Sequence, residues 1–290
     1  MNAIVTGVNG FLGSKLAEKL VADGHTVLRF PRELYFEVEE LDRIITEFAP
    51  DVVYHCGAYG NHSWQQEDDE ILTANVFCTF VLASRVRELR PKCKFVFIST
   101  SSVYGRNPKD PKPYSTPQKD KLKRIVTTKP RKETDFCVPE TMYAATKLSA
   151  ELILQQIFPK NLTIIRPFSI YGPGEDIKRL IPKACLNIKA KVMWELVPDP
   201  HHDWVFIDDV TAILSSLVTA GSDRDGVWNV GTGKQYSNKQ VVDTLETVTG
   251  EKCMYHFTDL NRKLFDTVDW VADTRKMRDA GGFQTSFLMH

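Results

Sequence analysis

The first part of the chain repeats one pattern of apolar and polar positions. A short apolar run, NAIVTG, is followed by 11–23, where Leu12, Leu16 and Leu20 recur at helical spacing. GHTVLRF is a second strand, and 41–48 a second helix. PDVVYHCGA has a continuous apolar run, as expected of a parallel strand buried on both faces. A helix at 73–89, the strand CKFVFIST, a helix at 142–157 and the strand LTIIRP complete the series. Such alternation predicts an α/β fold with right-handed crossovers and an open, doubly wound parallel sheet.

Two stretches depart from this rhythm. Residues 106–132 hold five prolines, ten Lys or Arg and two acids. They are expected to form a solvated surface loop, with a flap over an anionic ligand as the alternative. After Pro167, prolines at 173, 182, 198 and 200 separate short elements. HDWVFIDDV reads as a strand entering a helix at 209–217, and VWNVGTG as a strand and turn. The expected organisation is a dinucleotide-binding domain over 1–166 and a smaller substrate-binding lobe over 167–290, interleaved with the first.

Composition narrows the function. Lys plus Arg and Asp plus Glu both number 37 in 290 residues, so the formal net charge is zero. That balance favours neither nucleic acid nor an anionic membrane as partner. No apolar run reaches the length of a membrane span. The opening MNAIVTGVNG is already strand and turn, without a secretory leader. The six cysteines are scattered with no CxxC pair, which fits reduced thiols and a cytoplasmic location.

TGVNGFLG places Gly7, Gly10 and Gly13 between the first strand and the first helix. The first glycine allows the turn, the second lets backbone approach a pyrophosphate, and the third lets helix pack on strand. Phe11 and Leu12 lie inside the motif, where helix N–H groups face the phosphates. The fold expected is Rossmann-type. At the end of the second strand, VLRFPRE offers Arg29 and Arg32 and no aspartate. Two cations there suit the 2′-phosphate of NADP, with NAD as the alternative and Glu33 as a displaced acidic reader.

YAATK places Tyr143 and Lys147 four apart, on one face of a helix. A nearby ammonium and a positive nicotinamide ring favour the phenolate. Such a tyrosine can exchange a proton with a sugar hydroxyl or carbonyl while hydride moves.

TGVNGFLG, ISTSSVYG, YAATK, RPFSIYGPG and NVGTG occur in that order. This set resembles the extended short-chain dehydrogenase/reductases, in particular the NAD(P)-dependent epimerase/dehydratase family, over nearly the whole chain. The resemblance implies that Thr100 hydrogen-bonds the reacting hydroxyl or carbonyl. It implies Tyr143 as acid/base, and Lys147 as holder of the nicotinamide ribose that also lowers the Tyr143 pKa. Gly57 and Ala58 in HCGA, Asn75 in TANVFCT and Pro167 are implied near the cofactor. Ser101, Ser169 and His202 stand at substrate-facing positions. Ser99 is expected to cap backbone groups. The family's helices at 75–90 and 142–157 commonly pair, which implies a homodimer.

The departures are informative. Dehydratases of the family usually have Asp-Glu where this chain has Ser101 and Ser102, so 4,6-dehydration is not expected. Ser169 replaces a frequent Asn, and His202 replaces a frequent Arg that clamps the substrate diphosphate. Lys178, Arg179 and Lys183 are the cations available in its place. His201, His202 and Asp203 alternate faces on a strand and are not expected to hold a metal. His55 and His62 have no evident partners for one. Relatives continue past a segment like DAGGFQTSF into a closing helix, so the chain reads as a short form or a truncated one.

The substrate expected is a nucleotide-activated sugar. The reaction expected is NADPH-dependent reduction of a 4-keto sugar, or a combined epimerisation and reduction. VLRFPRE resembles the corresponding region of NADP-dependent GDP-fucose synthases. An NAD-retaining 4-epimerase is the alternative. A non-catalytic dinucleotide sensor would be marked by loss of Tyr or Lys, and both are present.

Overall fold

Successive strand side chains point to opposite faces, and here both faces are apolar. Ala3 and Val5 enter one core with Val96, Ile98, Leu16 and Leu20. Ile4 enters another with Val53, Phe95, Phe97, Leu82 and Leu154. The computed structural model describes residues 1–62, 64–105, 129–198, 200–217, 224–258 and 270–281. Residues 106–128 of the basic stretch, and 282–290 of the final segment, lie outside the described residues.

The main sheet is parallel, formed by β1 (Asn2–Thr6), β2 (Thr26–Arg29), β3 (Val52–His55), β4 (Lys94–Ile98), β5 (Leu162–Pro167) and, later in the chain, Gly226–Val230. Its order is β2-β1-β3-β4-β5 and then that late strand. Helices α1 (Phe11–Ala22) and α7 (Ile207–Ser216) cover one face; α2 (Val38–Phe48), α4 (Cys78–Leu89) and α5 (Met142–Ile157) cover the other. Strand order reverses between β1 and β3, and the crevice outside their carboxyl ends is where such sheets bind ligands. Each fully buried Val, Leu or Phe side chain contributes about 1.5–3 kcal/mol relative to exposure.

Smaller sheets follow β5. β6 (Ser169–Tyr171) pairs with β9 (Trp204–Phe206), and β8 (His201–His202) with β11 (Tyr236–Ser237). β7 (Trp194–Leu196) pairs with β12 (Tyr255–Phe257), against α6 (Leu180–Ala190) and α8 (Asn238–Thr249). The late strand Gly226–Val230 is β10, and it returns to the main sheet beside β5.

Several boundaries differ from the periodicity. The expected helix at 73–89 begins five residues earlier as α3 (Asp68–Leu72), passes through a π-helical turn at Thr73–Phe77, and continues as α4. The extra residue in that turn directs Asn75 inward, where it is completely buried. α2 starts at Val38 and α7 at Ile207, because their first turns carry acids (Glu39, Glu40; Asp208, Asp209) that favour a helix N-terminus. α5 starts where expected, capped by Thr141, whose hydroxyl oxygen accepts from the Ala144 amide at 3.1 Å.

Candidate active site

The turn after β1 has no room for side chains. Gly7 has φ +65°, and a Cβ there would lie 2.7 Å from the Gly57 amide nitrogen. A Cβ on Gly13 would lie 2.3 Å from the Gly7 carbonyl oxygen. β1 and β3 thus end with their backbones packed together. α1 begins at Phe11 without a side-chain cap or an acid in its first turn, so Phe11, Leu12 and Gly13 present amides to an anion. This cradle fits a dinucleotide pyrophosphate.

A second observation supports the same fit. Lys147 is 1% exposed, and its Nζ has no hydrogen-bond partner among the described residues. The ammonium sits 4.0 Å over the Phe97 ring. Burial pushes its pKa down to about 7. An orphaned buried ammonium is costly, and ribose hydroxyls at the mouth of the site would satisfy it. Residues suited to hold a dinucleotide are therefore Gly7, Gly10, Phe11, Leu12, Gly13, Gly57, the exposed Ala58 and Lys147.

Thr100 lies two residues beyond β4 and caps the 3₁₀ turn Ser101–Tyr104, accepting from the Ser102 amide at 3.1 Å. Its hydroxyl lies near the Tyr143 phenol. Burial pushes that phenol's pKa up to about 12, while Arg179 and the Thr100 hydroxyl pull it down. Arg179 is the cation whose charge pulls the phenol down, while Lys147 is itself desolvated and lies over the Phe97 ring.

Of the three cations available in place of the diphosphate-clamping Arg, Arg179 is the one whose charge lowers the Tyr143 pKa among the described residues. Arg179 also donates to the Asn61 carbonyl at 3.1 Å. Lys178 sits 4.0 Å over Trp64, and Lys183 5.0 Å over Trp194. Glu175, in the same loop, is pushed up to about pH 7 by burial, with one carboxyl oxygen lacking a partner among the described residues.

Other expected site residues fall into separate groups. Asn75 is consumed by protein: its Oδ1 accepts from the Tyr59 amide at 2.9 Å, and its Nδ2 donates to the Tyr59 carbonyl and Thr146 Oγ1. Thr146 in turn donates to the Tyr143 carbonyl at 2.9 Å. Ser101 accepts from the Trp270 indole at 3.0 Å. Ser169 Oγ lies 3.3 Å from His202 Nδ1. Pro167 is buried at the end of β5, paired in register with Val230. Arg29 and Arg32 are exposed at the far edge of the sheet. Asp203, between His202 and Trp204, accepts from the amides of Thr232, Gly233 and Ala272, so it organises a turn. Among the described residues no cluster of three or more potential metal ligands is present.

Ser99 does not cap backbone. Its hydroxyl donates to Glu151, which also holds Arg166. Trp270 and Glu175 carried no motif. His55 could have been found from register, since β1 and β3 pair Thr6 with His55.

A family model described as "NAD dependent epimerase/dehydratase family" matches residues 3–231. A UDP-glucose 4-epimerase from Mycolicibacterium smegmatis is 27% identical over 284 residues, covering 86% of this chain and 83% of that protein. Two solved structures share the fold. One is a Thermotoga maritima UDP-glucose 4-epimerase with UDP-glucose (TM-score 0.81, 22% identity, 100% of this chain and 95% of that one). The other is a Bacillus anthracis dTDP-4-dehydrorhamnose reductase with NADP (TM-score 0.79, 18% identity, 98% and 94%). With the glycine turn, the Thr100–Tyr143–Lys147 set and a family match over most of its length, the chain belongs to the NAD-dependent epimerase/dehydratase family of nucleotide-sugar enzymes.

Proposed function

We propose that the protein is an NADPH-dependent reductase, or epimerase-reductase, acting at C4 of a nucleotide-activated sugar. The observation that carries this reading is the end of β2. Arg29 and Arg32 are exposed there, neither side chain makes a hydrogen bond or ion pair among the described residues, and no aspartate stands between them. Two unengaged guanidinium groups suit a 2′-phosphate, as charge-assisted donors. The dinucleotide would supply hydride to the ketone carbon. Tyr143 gives its proton to the ketone oxygen, and Thr100 holds that oxygen through its hydroxyl. Arg179 keeps the phenolate left behind from becoming too basic.

Ser169 and His202 face the sugar nucleotide from the lobe over 167–290, with Ser101 at the rim. Ser101 and Ser102 replace the acid pair that water removal needs, so the reaction stops at reduction or epimerisation. Leu72, Phe77 and Phe80 on the α3–α4 run, and Met142 and Leu152 on α5, are exposed large apolar side chains. Their position supports a homodimer through these helices. No described helix is long and apolar enough to cross a membrane, and we read the enzyme as cytoplasmic.

The second reading is an NAD-retaining 4-epimerase, favoured by the Mycolicibacterium smegmatis relative. Denaturing the purified protein and identifying released nucleotide separates the two. The reductase reading predicts little bound NAD and NADPH oxidation with a 4-keto sugar nucleotide. Stoichiometric NAD, with no NADPH consumed, contradicts it. Arg32→Ala should raise KM for NADPH about 10- to 100-fold while changing KM for NADH little.

A further inference from the structure

His55 ends β3 fully buried, and the chemistry above does not use it. Both ring nitrogens have partners. Nδ1 lies 2.9 Å from Thr6 Oγ1, and Nε2 lies 2.8 Å from Thr79 Oγ1. The Thr79 hydroxyl donates to the Asn75 carbonyl at 2.8 Å. A hydroxyl has one hydrogen, so Thr79 can only accept from the ring. Nε2 therefore carries the proton. Burial pushes the His55 pKa down to about 3, so the ring is neutral and Nδ1 is bare. Nδ1 accepts from the Thr6 hydroxyl, and Thr6 Oγ1 accepts from the Gly57 amide at 2.9 Å. The Tyr35 hydroxyl lies 3.4 Å from the same nitrogen.

Every bond in this chain points one way, from the Gly57 amide to the Asn75 carbonyl. Aligned bonds strengthen one another in a low-dielectric interior. One end is the strand terminus packed against Gly7. The other is the π-helical turn whose Asn75 side chain holds Tyr59 and Thr146, and through Thr146 the Tyr143 carbonyl.

We propose that His55 is a positioning residue whose proton, locked on Nε2 by Thr79, sets Gly57 against the Gly7 turn and couples that turn to the backbone beneath Tyr143. The proposal rests on the reading of the Gly7 turn as the dinucleotide site. Without the Thr79 hydroxyl, Nε2–H loses its acceptor and the proton is free to move to Nδ1. The ring would then donate to Thr6, displacing that hydroxyl's hydrogen, and the Thr6 oxygen would have to turn so as to accept from both the ring and the Gly57 amide, shifting Gly57.

The test uses Thr79→Val and Thr79→Ser, with NADPH and NADH binding and nitrogen-15 spectra of the His55 ring. Wild type is expected to show protonated Nε2 and bare Nδ1, with no titration from pH 5 to 8. Thr79→Val is expected to mix the tautomers and to raise the dinucleotide Kd about tenfold, roughly the loss of one buried hydrogen bond. Thr79→Ser keeps the hydroxyl and should stay within about twofold of wild type. A proton on Nδ1 in wild type overturns the proposal. So does a Thr79→Val protein that binds like wild type, or a Thr79→Ser protein as weak as Thr79→Val. A wild-type protein that binds neither NADPH nor NADH overturns the dinucleotide reading instead, and takes this proposal with it.

Discussion

Two buried cations flank the end of β4, and the molecule treats them oppositely. Arg166, on β5, is 5% exposed and fully engaged. Its Nε and Nη2 donate to Glu151 at 3.0 and 2.6 Å, and its guanidinium lies 4.8 Å from the centre of the Tyr104 ring. Glu151 also accepts from Ser99. Lys147, one turn before Glu151 on α5, has no hydrogen-bond partner among the described residues and lies over the Phe97 ring. Arg166 is a strut that ties β4, β5 and α5 behind Thr100. The Lys147 amine lacks a hydrogen-bond partner among the described residues, and burial lowers its pKa. The difference separates two uses of a buried charge: one with protein partners holds the fold, and one without them is left available to a ligand.

Three variants and a pH series probe this contrast. Tyr143→Phe has the largest expected effect. Loss of a general acid should lower kcat about 10²- to 10⁴-fold, while NADPH binding, measured by titration, stays near wild type. Turnover near wild type would reassign the proton donor. Glu151→Ala breaks the strut and strands Arg166, so urea unfolding should show a loss of about 3–5 kcal/mol. Replacing both partners, with Glu151→Leu and Arg166→Met, should recover most of that loss, because neither charge is then left buried alone.

The pH effect is smaller. Lys147 has a folded pKa of about 7 against a usual value of 10.5. Between those values the unfolded chain holds a proton that the folded chain has released. Stability from this group therefore rises with pH across that window and is lost as pH falls toward 7. In urea titrations, wild type should gain on Lys147→Met by about 2 kcal/mol from pH 7 to pH 9. A constant difference would show that Lys147 is not desolvated.

Much of this fold was legible in the residues. Continuous apolar runs marked strands covered on both faces, and Leu12, Leu16 and Leu20 marked α1. The glycine turn and the Tyr143–Lys147 spacing were legible because the chemistry dictates residue type at fixed spacing. The π-helical turn was not, because periodicity cannot show one inserted residue in a longer helix. Nor were the partners of Ser99, Asn75 and His55. Those depend on which strands and helices become neighbours, and Glu151 is 52 residues from Ser99 in sequence. The effect of Arg179 on the Tyr143 phenol was hidden for the same reason, since the two come near one another only in the folded protein.

Thermal unfolding of Lys147→Met with and without NADPH tests the central claim most directly. If Lys147 is reserved for the dinucleotide, the variant alone should unfold at or above the wild-type temperature near pH 7. Saturating NADPH should then stabilise it far less than wild type, which gains about 2.7 kcal/mol at a hundredfold excess over Kd. A variant that is less stable alone, yet gains the full increment from NADPH, would contradict the account.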